Sequence, residues 1–273
     1  MRAAIFQFSP VFGDAATNVA RIEHAVRSAE AELWVLPELA TTGYLFSDRA
    51  ECGSLAEPVS GPSLHALADL CRERRTRLVV GFAERDGDML FNSSAYVGPD
   101  GLVAVYRKVH LFDRELLTFD PGPDPFRVAA LGPHHLGMMI CFDWVFPEAA
   151  RSLALLGADV IAHPSNLVLP YCQDAMVTRA LENGVFCLTA NRVGVERRAG
   201  VELAFTGCSR IVDPRGRVLA QAPAADDATL LADLDLDLAR DKSLTPRNDR
   251  LGDRRPECYV GRRPGNARPG GPM

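Results

Sequence analysis

Short apolar β segments alternate with amphipathic helical stretches along this chain, and that order limits its possible folds more than any other feature. Ala3–Phe8 reads as a strand and Ala15–Ala31 as a helix, with Ile22, Ala25, Val26 and Ala29 sharing one face. Leu33–Leu36 reads as a buried strand ending at Pro37. Pro62–Arg74 reads as a helix opened by a proline, in the first turn where a backbone N–H has no helical acceptor anyway. Strand Arg77–Glu84 follows. The texture then changes to strand pairs flanking turn residues: Ser93–Val97 with Leu102–Tyr106 around Gly98-Pro99-Asp100-Gly101, Phe126–Ala130 with Leu136–Ile140 around a Gly-Pro turn, and later Cys208–Val212 with Arg217–Gln221 around Asp213-Pro214-Arg215-Gly216. Between the second and third pairs, helix Pro147–Leu156, strand Asp159–Ala162, helix Tyr171–Glu182 and strand Phe186–Ala190 restore the βα rhythm. Two sheets packed together and covered outside by helices accommodate this order, an α/β architecture.

The 273 residues are 47% hydrophobic, enough for a substantial core, and no internal linker or repeat divides residues 1–260. The tail from Gly261 to Met273 is rich in Gly, Pro and Arg with nothing to bury, which predicts an extended arm or disorder. The net charge of −5 comes from 35 acidic and 30 basic residues without a block of either sign, so neither nucleic acid nor an anionic membrane is expected as the main partner. The N-terminus lacks the layout of a signal peptide, and no apolar run reaches the roughly 18 residues of a membrane span, which predicts a cytoplasmic protein. Seven cysteines, odd in number and without CxxC or Cys/His spacing, predict free thiols and no zinc site.

Three ionisable residues stand just after apolar β segments, where loops at sheet ends commonly build active sites: Glu38 after LWVLP, Lys108 after VAVYR and Cys141 after LGMMI. Each alone is ambiguous, since a cysteine in an apolar run is ordinarily a small buried hydrophobe, Glu38 could open a helix and Lys108 could be a solvated strand end. Together they form a chemically sensible set. A carboxylate can take the thiol proton, and an ammonium favours both the thiolate and the negative charge that develops when it attacks.

The motifs LPELATTGY at 36–44, YRKVHLFDRE at 106–115 and ICFDWVFPEAAR at 140–151 resemble, in order, those of the carbon–nitrogen hydrolase (nitrilase) superfamily. GADVIAHPSN at 157–166, RALENGVF at 179–186, ANRVG at 190–194 and DRRPECY at 253–259 extend the resemblance over all but the last dozen or so residues. It implies a four-layer α-β-β-α sandwich, a homodimer packed through helices near Pro147–Leu156 and the C-terminal segment, and no metal or organic cofactor. It also implies Glu38 as general base, Lys108 as cationic stabiliser, Cys141 as nucleophile, and Glu115 as a second glutamate orienting Lys108 or the substrate nitrogen. The backbone N–H of Phe142, just past the nucleophile, would complete an oxyanion site with Lys108. Tyr44, Trp144, Asn166 and Arg179 fall in matched motifs and are candidate substrate contacts. Asn166 serves equally well as a turn residue and Arg179 as a salt-bridge partner on a helix, while Asp143 and Glu148 are suited to the positive end of the helix after Pro147.

A small-molecule amide is the substrate expected first, an aliphatic nitrile second and an N-carbamoyl amine third. A serine hydrolase lacks a GxSxG elbow here and a nucleotide-binding protein lacks its glycine-rich loop. Scattered histidines disfavour a Cys/His protease, and His134-His135 is expected in a solvated hairpin turn. A non-enzymatic interaction module is the alternative from another class, against which the intact Glu-Lys-Cys set weighs.

Overall fold

The computed structural model describes residues 1–261. Its first sheet is built from β1 (Arg2–Gln7), β2 (Leu33–Val35), β3 (Arg77–Asp86), β4 (Met89–Gly98) and β5 (Gly101–Arg107), with α1 (Ala15–Ser28), α2 (Arg49–Leu55) and α3 (Pro62–Arg74) in the connections. After α4 (Glu115–Thr118), the second sheet collects β6 (Val128–Leu131), β7 (His134–Met138), β8 (Val160–Ser165) and β9 (Phe186–Asn191), with α5 (Pro147–Leu155) and α6 (Cys172–Asn183) between them. A separate hairpin follows, β10 (Val195–Arg198) with β11 (Val201–Ala204). Then β12 (Arg210–Val212) and β13 (Val218–Gln221) complete the second sheet, and β14 (Ala228–Asp233) returns to the first. The strand orders are β14-β1-β2-β3-β4-β5 and β13-β12-β9-β8-β7-β6. In each sheet the βα units supply parallel central pairs and the hairpins supply antiparallel neighbours.

The first sheet is buried on both faces, which explains its nearly continuous apolar strands. Ala4, Phe6, Trp34, Leu78 and Val80 face outward against Val19, Ile22 and Val26 of α1 and Leu64, Leu67 and Leu70 of α3. The alternate residues Ala3, Ile5, Leu33, Val35 and Val79 face inward and share one cluster with Leu136, Val160, Ile161, Leu188 and Ile211 of the second sheet. That cluster runs on to Leu153 of α5 and Met176 of α6. The result is the four-layer α-β-β-α sandwich expected from the sequence.

Several details depart from the sequence reading. Helix α1 stops at Ser28, because Ala29 is already extended. His134 and His135 stand on β7 and pair with Leu131 and Ala130, so the turn is confined to Gly132-Pro133. Asp143 does not cap α5; it is fully buried in a 3₁₀ turn spanning Cys141–Val145. Glu148 does lie in the first turn of α5, exposed. Most of the proposed arm after Gly261 lies outside the described residues. Among those described, no helix is long and apolar enough to cross a membrane.

Candidate active site

Glu38 leaves the end of β2 through Pro37, and Leu39 turns the chain in the left-handed region at φ 48°. The turn is held on β3: Leu36 N–H donates to Val79 O, Gly81 N–H to Pro37 O and Ala40 N–H to Gly81 O, at 2.8, 3.1 and 2.8 Å. A Cβ on Gly81 would stand 2.5 Å from Glu38 Cα, so only glycine lets the two backbones approach this closely. Lys108 follows β5, its N–H donating to Asn92 O at 2.9 Å. Glu115 opens α4 behind Asp113, another left-handed residue at φ 46°.

Glu38 and Lys108 are fully buried and Glu115 nearly so. Lys108 Nζ donates to Glu38 Oε1 at 2.6 Å and to Glu115 Oε1 at 2.7 Å. Asn92 Nδ2 donates to Glu38 Oε1 at 2.7 Å, Tyr44 Oη to Glu115 Oε1 at 2.8 Å and Phe112 N–H to Glu115 Oε2 at 3.2 Å. An ammonium has three protons, and two are engaged here, which leaves one free. Glu38 Oε2 is buried without any hydrogen-bond partner. The cluster therefore holds one spare strong donor and one spare strong acceptor.

Cys141 follows β7 in a left-handed conformation, φ 39°, rare for a side chain with a Cβ. It starts the 3₁₀ turn, where the Phe142 N–H has no intrahelical acceptor. His163, fully buried on β8, holds the Cys141 carbonyl from the other side with Nε2 at 2.9 Å. Burial pushes the Cys141 thiol well above its ordinary range; Glu38 adds to this, while Lys108 and the Asn166 N–H oppose it. A thiol so shifted keeps its proton, and only a base close by would make it a thiolate. Burial disfavours the Lys108 ammonium, but Glu115 and Glu38 outweigh it and hold the amine above its usual range. Burial pushes the Glu115 carboxyl up to about 7, against the pull of Lys108.

The thiol opens onto a shallow cleft lined by Phe112, Phe142, Trp144, Asn166, Leu167, Val168 and Leu169. Trp144 and Asn166, two of the candidate substrate contacts, thus line the cleft beside Cys141. Asn166 Nδ2 donates to Glu38 O at 2.9 Å, and its Oδ1 is buried and unpartnered. Tyr44 reaches the site through Glu115. Arg179 does not line the cleft: its guanidinium donates to Trp144 O at 3.3 Å and pairs with Glu182 at 3.0 Å, the salt-bridge alternative. Sequence reasoning missed Asn92, Phe112 and His163, whose partners lie 54, 3 and 22 residues away.

A four-layer sandwich with a thiol, an ammonium and paired carboxylates gathered at its strand ends defines a class of hydrolases. The family model described as carbon-nitrogen hydrolase matches residues 2–242, and the chain belongs to that family. It is an enzyme acting on non-peptide C–N bonds. It is 45% identical to a nitrilase from Pyrococcus abyssi over 95% of this chain and 99% of the relative. It is 36% identical to an (R)-stereoselective amidase from a Pseudomonas species, over 93% and 92% of the two chains. Among solved structures, an amidase from Nesterenkonia superposes with a TM-score of 0.80 at 27% identity, covering 94% of each chain.

Proposed function

We propose that the protein hydrolyses small linear carboxamides to the acid and ammonia through a thioester on Cys141. The observation that carries this reading is the spare pair in the buried cluster: a free acceptor at Glu38 Oε2 and a free proton on Lys108 Nζ, on two residues whose charges are close enough to bear on the Cys141 thiol.

Cys141 Sγ attacks the carbonyl carbon while its proton passes to Glu38 Oε2. The carbonyl oxygen becomes an oxyanion that accepts from the third Lys108 proton and from Phe142 N–H, a desolvated pair worth several kcal/mol of transition-state stabilisation. Collapse breaks the C–N bond as Glu38 returns its proton to the nitrogen, and ammonia leaves. Glu38 then takes a proton from water, whose oxygen attacks the thioester carbon; the C–S bond breaks, the acid departs, and Glu38 returns that proton to Sγ, restoring the thiol. Glu115 holds Lys108 in place and, with Tyr44, fixes which proton is left free. Apart from Asn166, the cleft lining is apolar and uncharged, which suits a neutral acyl group.

A nitrile substrate is the second reading, favoured by the 45% identity to a protein named nitrilase; the same thiol attack would give a thioimidate first. Ammonia release from a panel of short amides, aliphatic nitriles and N-carbamoyl amines, compared with Cys141→Ala, separates the readings. Cys141-dependent release from amides is expected. Release confined to nitriles or carbamoyl amines replaces the substrate, and release that survives Cys141→Ala removes the thioester reading.

A further inference from the structure

Lys108 and Cys141 follow strands of different sheets, β5 and β7, each just past the strand's end. The Lys108 ammonium is anchored to Glu38 and Glu115, neither of which bonds the nucleophile turn. What ties the two segments together is Asp143, a fully buried carboxylate two residues past Cys141. Its Oδ2 accepts from Tyr106 Oη at 2.7 Å and from Ile140 N–H at 2.8 Å. Its Oδ1 lies 2.7 Å from His110 Nδ1 and accepts from His110 N–H at 3.3 Å. Tyr106 and His110 bracket Lys108 two residues to either side, while Ile140 and Asp143 bracket Cys141. The carboxylate therefore joins the backbone around the cation to the backbone around the nucleophile.

The surrounding groups keep this junction stiff. Tyr106 Oη, besides donating to Asp143, accepts from Val109 N–H at 3.3 Å, so the loop that follows Lys108 closes on the same tyrosine. The His110 ring stacks on Phe146 with centroids 3.8 Å apart and planes 14° from parallel, which presents Nδ1 to the carboxylate. An acceptor at that position fixes the ring proton on Nδ1. Asp143 N–H also donates to Ile140 O at 3.0 Å, so the residue closes the turn that holds Cys141 at positive φ, a conformation that persists only where its surroundings overdetermine it.

We infer that Asp143, with Tyr106 and His110, is a positioning device that sets the distance between the Lys108 ammonium and the Cys141 thiol. This rests on the reading of Cys141 as nucleophile and Lys108 as its cation. The device touches neither substrate nor reacting atoms. Loosening it displaces the oxyanion's donor from the attacking sulfur, a misalignment that acts on turnover and leaves substrate binding in the apolar cleft nearly unchanged.

The test compares Tyr106→Phe, His110→Ala and Asp143→Asn with wild type, on whichever substrate the wild type hydrolyses in a Cys141-dependent way. Tyr106→Phe is the primary variant, because it removes one hydroxyl and keeps the ring that stacks on Phe126. The expected result is a fall in kcat of roughly 10- to 100-fold with KM within about twofold of wild type. Because all three residues act through one carboxylate, Asp143→Asn combined with Tyr106→Phe should be no slower than Asp143→Asn alone. Cys141 alkylation by iodoacetamide, followed by peptide mass, reads the thiol without any substrate and should slow in the same order. A kcat within twofold of wild type in Tyr106→Phe and His110→Ala overturns the inference, as does a rise in KM at constant kcat or multiplicative effects in the double variant. Loss of Cys141-dependent turnover in the wild type itself is a different outcome, which removes the amidase reading, while the alkylation series still tests the positioning.

Discussion

Two buried groups near Cys141 have titrations that pull stability in opposite directions with pH, and replacing His163 should expose the balance. Burial lowers the His163 imidazole from 6.5 to about 4. The unfolded chain therefore binds a proton between these values that the native protein refuses, and the contribution is present above about 6.5 and lost as pH falls through about 4. Between about pH 8 and pH 5 this costs the native state about 2 kcal/mol. Glu115 runs the other way: burial raises it from 4.5 to about 7, so its contribution is full below 4.5 and lost as pH rises through about 7. Over the same interval acidification therefore returns about 2–3 kcal/mol from Glu115. In the wild type the two nearly cancel. His163→Gln, which keeps an amide donor for the Cys141 carbonyl, should become about 2 kcal/mol more stable at pH 5 than at pH 8, relative to the wild-type difference. Reversible urea unfolding at both pH values and one protein concentration measures this. Parallel pH dependences in the two proteins would refute the assignment of a neutral, buried imidazole.

Glu115→Gln should show the opposite slope, losing about 2–3 kcal/mol relative to wild type on going from pH 8 to pH 5 in the same unfolding assay. Lys108→Met removes the oxyanion's cation at nearly constant size, and kcat should fall by at least about 10²-fold. Because it leaves Glu38 and Glu115 buried without their partner, its urea midpoint should also report a loss of about 3–5 kcal/mol. Gly81→Ala forces a methyl against the backbone of Glu38 and Leu39, and should cost about 1–3 kcal/mol in unfolding together with most of the ammonia release. Unchanged activity there would show that the Glu38 turn tolerates displacement.

Much of the fold was legible because its elements are strongly periodic and sharply punctuated. Pro62 and Pro147 open their helices where the sequence places them, and the Gly-Pro and Asp-Pro turns locate the three hairpins read from the sequence, while β3–β4 and β10–β11 went unread as hairpins. The Ala228–Asp233 strand went unread: it is only half-buried, and its partner β1 lies more than 220 residues away, so no local signal specifies the pairing. The short helices at Arg49–Leu55 and Glu115–Thr118 span one or two turns, too few to show a period. At the site, the residues carrying a family motif were recoverable and their partners were not. Asp143 reads as a helix-start acid from its place before Pro147; only the folded chain brings it Tyr106 from 37 residues away and His110 from 33. Arg179 shows the converse: its place on a helix allowed a salt bridge as the alternative to a substrate contact, and it pairs with Glu182 outside the cleft.

Acid-quenching the wild-type enzyme during steady-state turnover of a short neutral amide, then mapping the peptides by mass, tests the covalent role of Cys141 most directly. A mass increase of one acyl group on the Cys141 peptide, removed by hydroxylamine and missing from the other six cysteines, is the predicted result. Ammonia released at an undiminished rate with no adduct at Cys141, and equally by Cys141→Ala, would contradict it.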